Sequence, residues 1–301
     1  PMQDHVRQLL HIANRSWHAV IVSLVQLAGV IAAIALLVSL DVDRAWVPFG
    51  SLATANVLSL FTGLTLTGAL RRTPGNVPLS FGELAASGKW LVIRAATPAT
   101  FAFLAAYILT ELAGPEAYGY AEAARQVAQP ITVLSVGLMA VLGPRAVRAG
   151  SEFDAAAGAH NRRSFMGLMV LGSVGYALVA GFDWALNPMA WLIPPAFTVG
   201  GLVLVTILAN LIASVFLIYG RELLGAGQAR SLAVISIAAT PALPLAAATA
   251  GSTEAFARPL GYIVEGLLRI VGVDRWLRHH YRRGLARITT SNPDNPELES
   301  P

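Results

Sequence analysis

Apolar runs as long as a bilayer is thick recur along this chain, each closed by a short polar turn. The first covers about His18 to Leu40 and the second about Val47 to Leu70, where Arg71-Arg72 stops it. A segment in hydrocarbon has no water for its peptide groups, so an α-helix is the one open structure that satisfies its N–H and C=O groups internally. About 20 apolar residues cross ~30 Å of hydrocarbon. Further runs of that length cover 90–112, 118–142, 165–186, 197–219, 231–250 and 255–273. The sequence therefore predicts an all-α integral membrane fold of about eight transmembrane helices. Composition agrees: 55% of the 301 residues are hydrophobic and only 13% are charged, where a soluble domain has about 25%.

The basic residues then orient the helices. Arg7, Arg15, Arg71, Arg72, Lys89, Arg94, Arg145, Arg148, Arg162, Arg163, Arg221, Arg230 and the cluster from Arg269 to Arg287 fall on one side of the predicted spans. Only Arg44, Arg125 and Arg258 fall on the other. Lys and Arg near span ends stay on the cytoplasmic side, which predicts both termini there. It also supports 255–273 as a span despite Arg258, Glu265 and Arg269, since otherwise the basic tail would lie outside. The net charge of +4 is thus a topology signal. It calls for membrane lipids and not for nucleic acid.

The longest connector, TPGNVPLSFGELAASGK (73–89), carries two prolines and three glycines and reads as a linker between two bundles. The predicted organisation is an amphipathic lead-in (1–17), two spans (18–72), the linker (73–89), six spans (90–273), and a tail that is basic and then disordered (274–301). The connector 187–196, with Trp191 and three prolines, reads as an interfacial turn.

Polar residues inside the spans are the candidate functional groups. Glu122, Arg125, Gln126 and Gln129 are spaced i, i+3, i+4 and i+7, which puts them on one face of the fourth span. Two readings fit. The face looks into a cavity and binds substrate, or Glu122 and Arg125 pair with each other at the outer interface. Glu265 and Arg269, at i,i+4, read as a structural pair or a coupling site. Gln26, Asn56, Arg94, Thr97 and Asn210 are further in-membrane polar groups, with Asn56 and Asn210 read as interhelical glue. Pro98 and Pro130 mark bends. His279 and His280 point to different faces and read as interfacial. With no cysteine and no histidine pair at ligand spacing, no metal or cofactor is expected. Asp41 and Asp43 read as a solvated acidic turn, a divalent-metal role being the weaker alternative.

The run TPATFAFLAAYILTELAGPEAYGYAEAARQVAQPITVLSVGLMAVLGPRAVRAG resembles the polysaccharide (O-antigen type) flippase family of the multidrug/oligosaccharidyl-lipid/polysaccharide exporter superfamily. The residues that carry the resemblance are Pro98, Gly114-Pro115-Glu116, Gly119-Tyr120, Ala121/Arg125 and Pro144-Arg145, and GRELLGAGQARSLAVIS (220–236) is similar to a later turn of the family. The resemblance implies two six-helix lobes around a cavity. This chain would then hold one six-helix lobe and two helices of the other, with four spans preceding Pro1. It implies transport of a lipid diphosphate-linked glycan to the outer leaflet of the cytoplasmic membrane, without covalent chemistry and alongside a glycan polymerase or other assembly machinery. Arg125 and its face would line the cavity, and Arg125→Ala would then abolish substrate binding more than folding. Two alternatives stand beside it. One is a membrane glycosyltransferase or polymerase of glycan assembly, which the short outer connectors disfavour. The other is a drug or lipid exporter of the same superfamily, which an acidic cavity would favour.

Overall fold

A computed structural model of the chain describes residues 6–7, 10, 15–43, 46–68, 81–182, 187 and 199–291. Much of the lead-in, the first part of the linker (73–80), nearly all of the 187–196 connector and the end of the tail (292–301) lie outside the described residues. The chain divides into two compact units, Pro1–Leu79 and Ser80–Pro301.

The first unit is an antiparallel pair, α1 (Ser16–Ser39) and α2 (Val47–Gly68). Small residues let the two backbones approach: a methyl group at Gly29 would lie 3.3 Å from the Ala55 Cα. Close approach over small residues is how membrane helices gain dispersion contact where lipid is as apolar as the side chains. A polar thread runs across the pair. Arg7 donates to Ser23 Oγ and to Gln26 Oε1, both at 3.2 Å, and Gln26 Nε2 donates to Asn56 Oδ1 at 3.0 Å. Asn56 is interhelical glue, as its position in the second span suggested. Val6 and Leu10 pack on Ala19 and Val22.

The second unit begins with α3 (Phe81–Val127), so the latter part of the 73–89 stretch is already helical. Gly114 interrupts α3 with φ 85° and ψ 163°, a conformation that a Cβ would oppose. Pro115 then starts the next helical stretch, where its fixed φ suits the first turn and its missing N–H is not needed. The sequence placed this break between two spans, and the structure has it there. A second irregularity falls at Ala128, before α4 (Gln129–Ser151). It is the work of Pro130, which cannot donate to the turn behind it. Carbonyls at this irregularity accept from side chains of other helices, the Ala128 carbonyl in addition to the Ile131 N–H. Tyr176 donates its hydroxyl to the Val127 carbonyl at 2.5 Å, and Asn210 Nδ2 donates to the Ala128 carbonyl at 3.0 Å.

Several boundaries differ from the sequence reading. α4 runs through Gly143-Pro144 to Ser151, and α5 (Ala155–Ala180) starts ten residues before Phe165, so the basic 143–164 loop is mostly helix. Asp154 caps α5 by accepting from the Ala157 N–H at 2.9 Å. Hydropathy alone misses these turns because helix ends pass beyond the hydrocarbon and become polar. The predicted span 231–250 is α7 (Ala229–Ala239), a break at Thr240-Pro241, and α8 (Ala242–Ala247), followed by the short α9 (Ala250–Thr253) and a 3₁₀ turn, Glu254–Phe256. The last helix, α10 (Ala257–Ser291), carries the basic segment 274–291 as a continuation of the predicted eighth span.

α6 (Leu202–Gly225) lies at the centre of this unit and packs against α4, α5 and α10. Phe165, Met169, Ile207 and Ile218 fill the space between α4, α5 and α6. The outer surface is the inverse of a soluble protein's: Phe103 is 76% exposed and Leu171 71%, whereas Ser135, Ser173, Ser214, Ser236 and Thr240 are buried. Such a surface is stable only in lipid. Among the described residues seven helical segments are long and apolar enough to cross a membrane. The segment 257–273 is not among them, because Arg258, Glu265 and Arg269 dilute it. The chain is an all-helical, multi-pass membrane protein.

At one end of the bundle α4 and α6 touch backbone to backbone. A Cβ at Gly225 would collide with the Val147 carbonyl, and one at Gly150 with the Glu222 carbonyl. Glu222 itself is fully buried. Its Oε1 is ion-paired with Arg162 of α5 and accepts from the Tyr281 hydroxyl of α10 at 2.5 Å. Burial and then the bond to Glu222 push the Tyr281 phenol well above its ordinary range, so it remains a donor. His280, read from sequence as interfacial, is buried here. It stacks on Phe153 at 4.4 Å and lies 3.3 Å from the Gly150 carbonyl. The apolar faces of the turn hold it there.

Two predictions follow from this end of the bundle. Gly225→Ala should destabilise the purified protein by about 1–3 kcal/mol through overpacking, whereas Gly137→Ala, which meets open space, should change stability by less than about 1 kcal/mol. Arg162→Met should cost about 3–5 kcal/mol because it strands the Glu222 carboxylate, and Arg162→Met with Glu222→Gln should recover part of the loss. Denaturant titration of unfolding in detergent measures both.

Candidate functional site

Pro98 interrupts the hydrogen-bond ladder of α3 one turn beyond Arg94, Pro130 lies at the start of α4, and α7 ends at Thr240-Pro241. Where these irregular helices face α6 and α10 they leave a cavity of about 490 Å³. Its polar wall comes from five helices: Arg94 (α3), Thr132 and Ser135 (α4), Asn210 and Ser214 (α6), Ser236 (α7) and Arg269 (α10). Irregular backbone at membrane depth is tolerated where it lines such a space.

Two guanidinium groups share one aromatic ring. Arg94 lies 5.8 Å and Arg269 5.4 Å from the centre of Phe216, inside the ~6 Å range of cation–π attraction. Their electrostatic situations differ. Arg269 is paired with Glu265, which is 4% exposed, and donates to Thr240 Oγ1 at 3.2 Å. Arg94 has no acid partner among the described residues and feels the repulsion of Arg269 and Arg221. The wall therefore carries two cations, and the one carboxylate, Glu265, pairs with Arg269 without lining the space. Arg269 Nε, Ser236 Oγ and Glu265 Oε1 are enclosed here without a hydrogen-bond partner, although the last is ion-paired with Arg269. An enclosed donor without a partner costs about 1–3 kcal/mol. The two guanidinium groups, with the hydroxyl and amide groups of the wall, suit a negatively charged ligand with acceptor oxygens. At an effective dielectric of 20 an anion about 4 Å from one of these guanidinium groups gains on the order of 4 kcal/mol.

The face read from the fourth span is only partly assembled, and it does not line this cavity. Glu122 accepts from Arg125 Nε at 2.8 Å, and its other oxygen is ion-paired with Arg258 of α10 at 2.7 Å. Gln126 Nε2 donates to the same carboxylate at 3.2 Å. Arg258 also lies over Tyr118 at 5.2 Å. The pairing alternative is what the structure shows for Glu122 and Arg125, with Arg258 as an added partner that ties α10 to α3. Gln129 lies past the Ala128 irregularity, is exposed, and is not part of the cluster. The spacing of 122, 125 and 126 survives because they share one continuous turn. The Pro130 kink rotates Gln129 away.

Glu265 and Arg269 pair as their spacing predicted. Arg94 was read from sequence as a topology marker and as one of several in-membrane polar groups, with no binding role assigned to it. The signal that could have found it is the spacing Trp90, Arg94, Pro98, one residue per turn on a single helix face. Phe216, Ser236 and Glu222 carried no sequence signal that distinguishes them from ordinary span residues.

Fold and site together define an integral membrane helical bundle with an open, cation-lined pocket between its helices. Set against protein-family models, curated proteins and solved structures, the chain has no match.

The Glu122 cluster gives a test of structure against binding. Glu122→Ala strands Arg258, whose side chain is only 17% exposed, and should cost about 1–3 kcal/mol. Arg125→Ala removes a guanidinium that is 39% exposed and leaves Glu122 with Arg258, so it should cost less than about 1 kcal/mol. Unfolding in detergent distinguishes the two.

Proposed function

We propose that this protein is a flippase-type transporter that moves a lipid diphosphate-linked oligosaccharide or polysaccharide precursor across the cytoplasmic membrane, for assembly of envelope or capsule glycan. The observation that carries this reading is Arg94: a half-buried arginine with no acid partner, beside a second arginine, within a helical bundle. Keeping an uncompensated cation at membrane depth is unfavourable, so such residues mark substrate paths by default. Arginine suits a diphosphate because its planar fork donates to two oxygens at once and stays charged. Thr132, Ser135, Asn210, Ser214 and Ser236 add neutral groups of the kind that exchange hydrogen bonds with sugar hydroxyls. The positive balance of the wall favours an anionic cargo over the cationic drugs of an acidic cavity. The resemblance of 98–145 to the polysaccharide flippases agrees with it, and lipid and the glycan assembly machinery are the partners it entails. The mechanism asks nothing covalent of the chain: the cavity binds, and the Gly114 and Pro130 breaks supply places where the helices re-orient.

Arg94→Met decides the matter. Removing an uncompensated cation should leave unfolding stability unchanged or raise it, while uptake of a lipid diphosphate-linked glycan into proteoliposomes should fall by tenfold or more, the size of ~1.4 kcal/mol. Full transport by Arg94→Met would refute the reading. A loss of stability equal to the loss of transport would make Arg94 structural instead.

A further inference from the structure

Outside the cavity, at the start of the same helix, a second arrangement of cations stands on Trp90. Lys89 Nζ lies 5.7 Å from the centre of the indole, and the Arg230 guanidinium, reaching across from α7, lies 5.5 Å from it. Both cations are exposed and Trp90 is half-buried. Two like charges drawn to one ring repel each other unless an anion joins them, and neither has an acid partner among the described residues. Trp90 and Arg94 are i,i+4, one above the other on the same face of α3. Arg94 in turn feels Arg221 and Arg269. The unpaired cations thus descend in steps, from the exposed Lys89 and Arg230 to Arg94 in the cavity wall.

The surroundings of the indole identify the source of the anion. Val92 is 67% exposed and Ile93 38%, just inward of it on α3, and Val234 is 51% exposed one turn beyond Arg230 on α7. These are lipid-facing surfaces beside a tryptophan, the residue that marks the headgroup level of a bilayer. A soluble phosphate would use the cations alone. A lipid would place its phosphate on them and its acyl chains along Val92 and Val234.

We propose that Lys89, Trp90 and Arg230 form an entry site where the phosphate of a membrane lipid is drawn from the leaflet before it reaches Arg94. The proposal rests on the transporter reading above and adds to it a second site and the route by which cargo arrives. Lys89 and Arg230 hold the phosphate, and Trp90 holds both cations at the headgroup level. Arg94, one turn further in, takes over as the lipid moves inward.

The test uses the full chain in detergent, titrated with dioleoyl phosphatidic acid and followed by native mass spectrometry, with phosphatidylcholine as the reference lipid and inorganic phosphate as the soluble competitor. Wild type should bind phosphatidic acid in preference to phosphatidylcholine. Lys89→Gln with Arg230→Gln should weaken that binding by about tenfold or more. Trp90→Leu should weaken it by about fivefold and Trp90→Phe, which keeps an aromatic face, by less than about twofold. Arg163→Gln, at an exposed arginine outside both sites, should leave it unchanged, and the Lys89, Arg230 and Trp90 variants should unfold at the wild-type midpoint. Wild-type binding by the double variant would overturn the proposal. So would displacement of the lipid by inorganic phosphate at equal concentration, which would make the site one for soluble phosphate. Binding lost in Arg94→Met but kept in the double variant would place the phosphate in the cavity, overturning the entry site and leaving the transporter reading intact. Intact binding at Trp90 with full glycan transport by Arg94→Met would refute the transporter reading, and the entry step with it.

Discussion

One enclosed carboxylate determines where the helices of the larger unit meet. Glu222 projects from the centre helix, α6, to Arg162 on α5 and Tyr281 on α10. Its own backbone carbonyl rests against Gly150 of α4. Each contact requires the others. Without Gly150 and Gly225 the α4 and α6 backbones would stand too far apart for α5 to close over them. Gly158 of α5 provides the room, since a Cβ there would strike the Glu222 carboxylate and lie 2.8 Å from the Tyr281 oxygen. In lipid an isolated carboxylate of this kind would be expensive. Paired, it fixes the register of four helices at one end, where apolar contacts alone would allow sliding.

Towards the middle of the bundle the helices are irregular, and the irregularities are satisfied one by one. Beside Pro130 the Val127 carbonyl accepts from Tyr176, and the Ala128 carbonyl accepts from Asn210 as well as from the Ile131 N–H. Thr240 donates to the Ser236 carbonyl at 2.6 Å where α7 ends. These bonds hold open the space that Arg94 and Arg269 line. Rigid closure at the Glu222 end and broken helices beside the cavity belong to one design: a fixed base, and bends where the backbone has alternatives.

The fold class was legible because apolar run length is dictated by bilayer thickness, and the Gly114 break because a Gly-Pro pair has few conformations. Helix ends were not, since Arg145, Arg148, Arg162 and Arg163 are polar turns of helices that outrun the hydrocarbon. The pairs Glu122–Arg125 and Glu265–Arg269 were legible because they are local, three and four residues apart on one helix. The cavity was not. Arg94, Phe216 and Arg269 are separated by more than fifty residues at each step, and only the packing of α3, α6 and α10 brings them to one ring. Glu222 was hidden for the same reason: in sequence it is one acid in a turn, and its burial depends on glycines in two other helices.

The difference between the two arginine settings gives the deepest reason to treat the cavity as a binding site. The Glu222 carboxylate is matched by one guanidinium, and at Glu122 both cations, Arg125 and Arg258, reach the same carboxylate. At Phe216 the second cation reaches none. Glu265 neutralises Arg269, and nothing described neutralises Arg94. The bundle has the means to place an acid there, as it does elsewhere, and the uncharged polar positions of the wall hold serine, threonine or asparagine instead. A missing counter-charge among otherwise paired groups is what a site for an incoming anion requires, because a built-in carboxylate would compete with every ligand the arginine is there to hold.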